Sequence, residues 1–179
     1  RYISRNMELK PEELIYEIQG SLIAGSPIKK LRVNKNIIDV DGVEVAFSPR
    51  EASYYRYLLK KRKASTCSET CKGCPSCCAD QDDLTAASKS EILKDHASIA
   101  GPMNGHFLRT KEARQKTHDA EYLPTIWEVI SRLKKAINNS DLHPLRKQDL
   151  TPHNLNLGEN KLEVSYGICI DPRIISFIE

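Results

Sequence analysis

The chain has 179 residues, a formal net charge of +3, 40% hydrophobic residues and 28% charged ones. That length supports one domain with a real core plus an appendage, and the composition is that of an ordinary soluble protein. No apolar run approaches the roughly 18 to 20 residues needed to cross a bilayer, so a membrane protein is not expected. The charge alone neither requires nor excludes nucleic acid, because affinity for phosphate depends on where basic groups cluster. The chain opens at Arg1 with no initiator Met and no cleavable leader, as expected for a piece of a larger protein.

Residues 1–30 carry one weak helical signal, Leu14, Ile15 and Ile18 behind Pro11, Glu12 and Glu13, and then break at Gly20, Gly25 and Pro27. This stretch reads as a linker or as the tail of an upstream domain, with a single domain over 31–179. From Leu31 the pattern turns to short apolar runs. Ile37, Ile38 and Val40 are separated from Val43, Val45 and Phe47 by Asp41 and Gly42, a dipeptide suited to a tight hairpin turn. The hairpin leads into Ser48, Pro49, Arg50 and Glu51, where Ser48 can cap, Pro49 fits the first helical position and Glu51 can reach back. A first helix therefore starts at Pro49, with Ala52, Tyr55, Leu58 and Leu59 on its buried face and Lys60, Lys61, Arg62 and Lys63 opposing its dipole at the end.

A cysteine-rich insertion follows at 64–83. A second helix is predicted from Leu84 to Ile99, with Ile92 and Leu93 as core contacts and Gly101 and Pro102 as its stop. A third begins near Pro124. Its buried stripe is Ile126, Ile130, Leu133 and Ile137, and its opposite face carries Thr125, Glu128, Arg132, Lys135 and Asn139. Last, Leu155 and Leu157, a turn at Gly158, Glu159 and Asn160, and the run Leu162, Val164, Tyr166, Ile168 and Ile170 predict a second hairpin.

Hairpin, three helices and hairpin is the element order of an α+β winged helix-turn-helix, whose third helix enters the major groove while the final hairpin forms the wing. The residues add a specific likeness. Asp41 to Glu51 (DGVEVAFSPRE) resembles the "DGxxVxLTPxE" start of the first helix in response-regulator output domains of the OmpR/PhoB type. Ile130 to Lys135 (ISRLKK) is similar to that family's recognition helix, and Val164 to Ile170 (VSYGICI) to its wing strand. The long cysteine-bearing loop departs from that pattern, and no receiver domain is present in this sequence.

The same opening, together with Tyr166 to Ile174 (YGICIDPRI), also resembles the C-terminal part of CRISPR-associated ring nucleases of the CARF family. Their N-terminal domain is Rossmann-like and senses cyclic oligoadenylates. Either likeness implies an accessory module and not an enzyme in its own right, with double-stranded DNA or a protein, a second copy of the chain included, as partner. Under the DNA reading, Thr125, Arg132 and Lys135 meet bases or phosphates, and Arg146, Lys147 and Lys161 hold the backbone beside the wing. Under the other, the module packs on a partner protein and never touches DNA. Glu128 favours that second view, because a carboxylate on a reading face repels phosphate.

Five of the six cysteines, Cys67, Cys71, Cys74, Cys77 and Cys78, fall in one short segment, whereas a secreted disulfide scaffold spreads them through its fold. This points to a reducing, cytoplasmic setting and a bound metal. The expected site is a closed structural Zn2+ held by Cys67, Cys71, Cys74 and one of Cys77 or Cys78, with no open position for a catalytic water. The alternative is an iron-sulfur cluster, since three cysteines at two-residue gaps begin a ferredoxin-like run, although the fourth Cys three residues after Cys77 is missing. Disulfides or free thiols are the bland alternatives, and His96 or His106 are the nearest histidines able to complete a site.

His96, His106, His118, His143 and His153 form no paired metal motif and read as surface or capping residues. No phosphate-binding glycine loop occurs, Asp82 and Asp83 read as solvated loop residues, and Cys169 reads as a small packed residue of the last strand. Trp127, the one tryptophan, is expected in the core or at a domain contact.

Overall fold

The computed structural model describes residues 27–67, 71, 74, 76–79, 89–100, 126–156 and 164–178. Among these the chain is a mixed α+β fold built from six strands and four helices. Strands β1 (Leu31–Asn34), β2 (Ile37–Val40) and β3 (Val43–Ala46) form an antiparallel meander, followed by helix α1 (Pro49–Ala64). Helices α2 (Lys89–Ala100), α3 (Ile126–Asn138) and α4 (Pro144–Leu150) come next, then strands β4 (His153–Asn156), β5 (Val164–Gly167) and β6 (Ile175–Ile178).

The hairpin at Asp41 and Gly42 forms as the dipeptide predicts. Both residues take positive φ, 51° and 94°, as a two-residue turn matching the strand twist requires. The structure adds what alternation did not reveal: β1 pairs antiparallel with β2, and β6 lies parallel to β1 on its other side, giving the order β3-β2-β1-β6. The N-terminal hairpin is therefore part of a four-stranded sheet. Leu31 and Val33, Ile38 and Val40, Val45 and Ile175 are buried, while Arg32 and Asn34 on the other face of β1 are exposed. This is the period-two pattern of a sheet covered on one face.

Helix α1 is central to the core. Its start is a complete capping box, the Ser48 amide donating to Glu51 Oε2 at 2.9 Å while the Ser48 hydroxyl accepts from the Glu51 amide. Ala52, Tyr55, Leu58 and Leu59 are buried as their spacing predicts, and Phe47 meets Tyr55 with ring centroids 5.0 Å apart. Burying each such large apolar side chain contributes roughly 1.5–3 kcal/mol. Tyr54 and Arg62 are also fully enclosed, so the basic end of the helix is not a uniformly solvated run.

Helix α2 is described from Lys89, five residues after its expected start, and residues 84–88 and the expected stop at 101–102 lie outside the described residues. Ile92 is fully buried and Leu93 packs at the core's edge. Lys60 of α1 ties the two helices together, its Nζ donating to both Asp95 oxygens at 3.0 and 2.8 Å and approaching Glu91 at 3.2 Å. In α3, Ile130, Leu133 and Ile137 form the predicted stripe, joined by Val129. Trp127 is not in the core: it is 67% exposed, because its position falls a quarter-turn off that stripe.

The short helix α4 was not anticipated from the sequence. His143 caps it, Nδ1 accepting from the Leu145 amide at 3.3 Å, and Pro144 occupies its first turn. The tyrosine hydroxyl of Tyr55 donates to the Leu150 carbonyl at 2.9 Å, which pins the end of α4 onto α1. Strands β4 and β5 then pair as a separate antiparallel hairpin, from His153 opposite Gly167 to Asn156 opposite Val164. The regular pairing of β5 ends at Gly167. Ile168 and Ile170 continue into the core as buried residues outside any strand.

Candidate metal centre

The cysteine segment begins where α1 ends. The Ser65 amide and hydroxyl both return to the Arg62 carbonyl, at 3.3 and 2.7 Å, closing the helix two residues before Cys67. Farther on, the amides of Cys77 and Cys78 both donate to the Cys74 carbonyl, at 3.1 and 3.0 Å, folding residues 74–78 into a tight turn. Inside that turn the Cys74 amide points at Cys77 Sγ, 3.3 Å away. An amide aimed at a sulfur favours its thiolate form.

These two local structures bring four sulfurs together. The ligand atoms of Cys67, Cys71, Cys74 and Cys77 all lie within 4.8 Å of one another, and this set is positioned to hold a metal ion. Individual separations are 3.1 Å for Cys67 to Cys74, 3.7 Å for Cys74 to Cys77 and 3.9 Å for Cys71 to Cys77. Cys78, the fifth candidate, has its sulfur 3.9 Å from that of Cys77 but falls outside the four-sulfur group. Its side chain is buried against Gly167, where a Cβ would overlap the Cys78 sulfur.

The thiols are electrostatically unequal. The hydrogen bond shared by the Cys67 and Cys74 thiols pushes Cys67 up to about 12 and draws Cys74 down to about 6. Burial pushes Cys77 up to about 12 and also raises Cys78. Cys74 is thus drawn toward its thiolate at neutral pH, and metal binding must displace protons from at least Cys67 and Cys77. No disulfide joins these cysteines.

The loop is fastened to the rest of the fold just past its last ligand. Ala79 and Tyr166 exchange both backbone hydrogen bonds, at 2.8 and 2.7 Å, in an isolated antiparallel bridge that adds a third chain segment beside β5. Alternation within β5 was legible in the sequence, but a one-residue bridge from a cysteine loop leaves no periodic signal. Cys169 is a second residue brought here by the fold. It is half-buried beyond β5, raised by burial, and close enough to interact electrostatically with Cys71 and Cys78. His96, an expected alternative ligand, is instead largely buried in α2, and burial, followed by the charge of Arg50, lowers it. His106 lies outside the described residues, as do His118, Asp82 and Asp83.

The residues expected to meet nucleic acid are dispersed. Arg132 and Lys135 are both exposed on α3, with Glu128 half-buried near them. Arg146, by contrast, turns inward to Asp41 at 3.2 Å, with its side chain only 12% exposed. That aspartate also accepts from the Lys30 amide at 2.8 Å, so Arg146 helps hold the hairpin turn. Lys147 donates to the Asn138 carbonyl at 2.8 Å, at the end of α3. Thr125 and Lys161 lie outside the described residues.

The chain is thus a mixed α+β protein with a four-thiol cluster suited to a metal, and among the described residues no helix is long and apolar enough to cross a membrane. No family model, no curated protein and no solved structure matches it.

Proposed function

We propose that this chain is a nucleic-acid-binding winged-helix module whose cysteine loop is closed by one structural zinc ion. The mutual distance of the four sulfurs carries the zinc reading. With Zn–S bonds near 2.3 Å, tetrahedral ligands stand about 3.8 Å apart. Separations of 3.1, 3.7 and 3.9 Å for three of the pairs, and of at most 4.8 Å for all of them, lie around that edge. A four-iron cluster places its thiolates on separate irons, so four sulfurs drawn toward one point favour a single ion. Four thiolates complete the tetrahedron, so the ion staples the loop and carries out no hydrolysis.

The winged-helix reading draws on the meander, the packing of α1 with α2 and α3, and the hairpin that follows. Helix α4 between α3 and the hairpin is a departure from the simplest form of that fold, in which the recognition helix runs directly into the wing. Arg132 and Lys135 are the cations this reading assigns to DNA, while Arg146 and Lys147 have intramolecular roles. The experiment has two parts. Protein purified without added metal is analysed for bound elements, with one zinc per chain expected; stoichiometric iron would sink the zinc assignment. Binding to random duplex DNA is then followed by fluorescence anisotropy across a salt series, with R132E/K135E as control. Micromolar affinity that falls steeply with salt and is lost in the double variant is the expected result. Absence of binding at low salt would leave the module as a protein-interaction domain.

A further inference from the structure

Trp127 is the chain's one tryptophan, and at 67% exposure it is the most exposed large apolar side chain among the described residues. It borders a groove of about 110 Å³ between α3 and the β4–β5 hairpin, lined by Trp127, Ile130, Ser131, Lys134, Asn154 and Tyr166. The floor is formed by the buried Ile130 and Tyr166. One wall is an exposed indole, and the rim carries a hydroxyl, a carboxamide and an ammonium.

We propose that this groove takes one unpaired nucleobase of a single-stranded nucleic acid, stacked on Trp127. This rests on the reading of α3 and the hairpin as a nucleic-acid face and narrows its substrate to a strand with accessible bases. The indole offers a flat π surface, which any base can use when it is free of its own stack. Ser131 and Asn154 together provide donors and acceptors for a base edge, since a hydroxyl and a carboxamide each do both. Lys134 stands at the rim to meet a flanking phosphate. Among the described residues no carboxylate lines the groove, and none pairs with Lys134. That charge pattern suits a polyanion over an acidic or neutral peptide.

A duplex offers no such base, because its ring faces are covered by neighbours in the stack. The metal loop contributes by fixing the floor: Tyr166 is held by Ala79, two residues past Cys77. A base entering the groove therefore meets a prearranged platform.

The test uses metal-loaded full chain, a 12-nucleotide oligo-dT and a duplex of equal length. Tryptophan fluorescence reports this groove alone, because there is one tryptophan. The expected result is quenching on addition of oligo-dT, with W127A binding it about tenfold or more weakly, W127F recovering part of the loss, and duplex affinity unchanged between variants. Trp127 is exposed, so W127A leaves the fold intact. Saturation with oligo-dT and no change in fluorescence, or equal affinity for wild type and W127A, overturns the proposal. Duplex binding without oligo-dT binding also overturns it but leaves the nucleic-acid module standing; absence of binding to either removes both.

Discussion

Arg62 Nε donates to the Ile170 carbonyl at 2.6 Å, joining the last turn of α1 to the segment after β5 across 108 residues of sequence. The arginine is fully enclosed, so a charge that the sequence places in a solvated basic run is in fact a strut through the core. It lies between the start of the cysteine segment and Cys169, whose thiol feels its charge.

Replacing Arg62 therefore tests a structural role. R62M retains much of the stem but leaves the Ile170 carbonyl without this donor, and a loss of about 2 kcal/mol in urea denaturation is expected. R62A removes packing as well and should lose more. Stability within a few tenths of wild type for R62M would show that the bond contributes nothing.

A smaller effect is expected at Tyr55, whose hydroxyl reaches Leu150 from a fully buried ring. Y55F keeps the aromatic packing and removes one neutral hydrogen bond, so thermal denaturation should show a loss of about 1 kcal/mol. Hydrogen exchange should rise in α4 specifically, since that bond pins its end.

At the junction of α1 with α2, Asp95 faces two cations, Lys60 at 2.8 Å and Arg56 at 3.7 Å, and its side chain is 12% exposed. D95A leaves Arg56 without this counter-charge and Lys60 with Glu91 alone, and should cost about 2–3 kcal/mol. K60M should cost less, because Asp95 keeps Arg56. Equal losses in the two variants would contradict this asymmetry.

Metal affinity should fall as pH falls, and the sign follows from the thiols. Cys67 and Cys77, both pushed up to about 12, hold their protons at neutral pH and must release them to bind. At least two displaced protons weaken apparent affinity on the order of 100-fold or more for each unit of acidification, and Cys74 adds a further proton only below about 6. Zinc competition against a chromophoric chelator at pH 6.5 and 7.5 measures this directly. An affinity independent of pH would exclude thiols of this protonation state as the ligands.

Gly167 and Cys78 offer a coupled test of how the loop is docked. A methyl at Gly167 overlaps the sulfur of the buried Cys78 and crowds its Cβ as well. G167A should destabilise by about 1–3 kcal/mol through overpacking. Adding C78A should restore most of that loss, a non-additivity expected only for residues in direct contact.

Much of the secondary structure was legible because its signals are local. Ser48, Pro49 and Glu51 state a helix start within four residues, Asp41 and Gly42 state a turn in two, and the α3 stripe repeats over three turns. Helix α4 escaped because seven residues hold too few apolar positions to show a period, leaving only Pro144 behind His143 as a hint. Strand β6 escaped because Ile174, Ile175, Phe177 and Ile178 form a short run whose partner lies at the far end of the sequence. The candidate metal ligands were legible as a set from spacing alone. Which four converge was not, because Cys77 and Cys78 are adjacent and the turn at Cys74 decides which sulfur faces the group. Burial is likewise a tertiary property: Arg62, Arg146 and Trp127 each reverse the environment that charge or apolarity suggests.

The parallel pairing of β1 with β6 bears on how the polypeptide acquires its shape. Ser176 donates to the Leu31 carbonyl at 3.2 Å across 145 residues, while the β1–β2 and β2–β3 pairs close over two-residue turns. During synthesis the meander can therefore zip early, yet one long side of β1 has no mate until residues 175–178 emerge. Such an edge is a template for intermolecular strand addition, and contacts of this separation are slow to form. A nascent chain stalled before residue 175 should be more prone to aggregate than one that has passed residue 178, with β6 acting as the seal that ends that exposure.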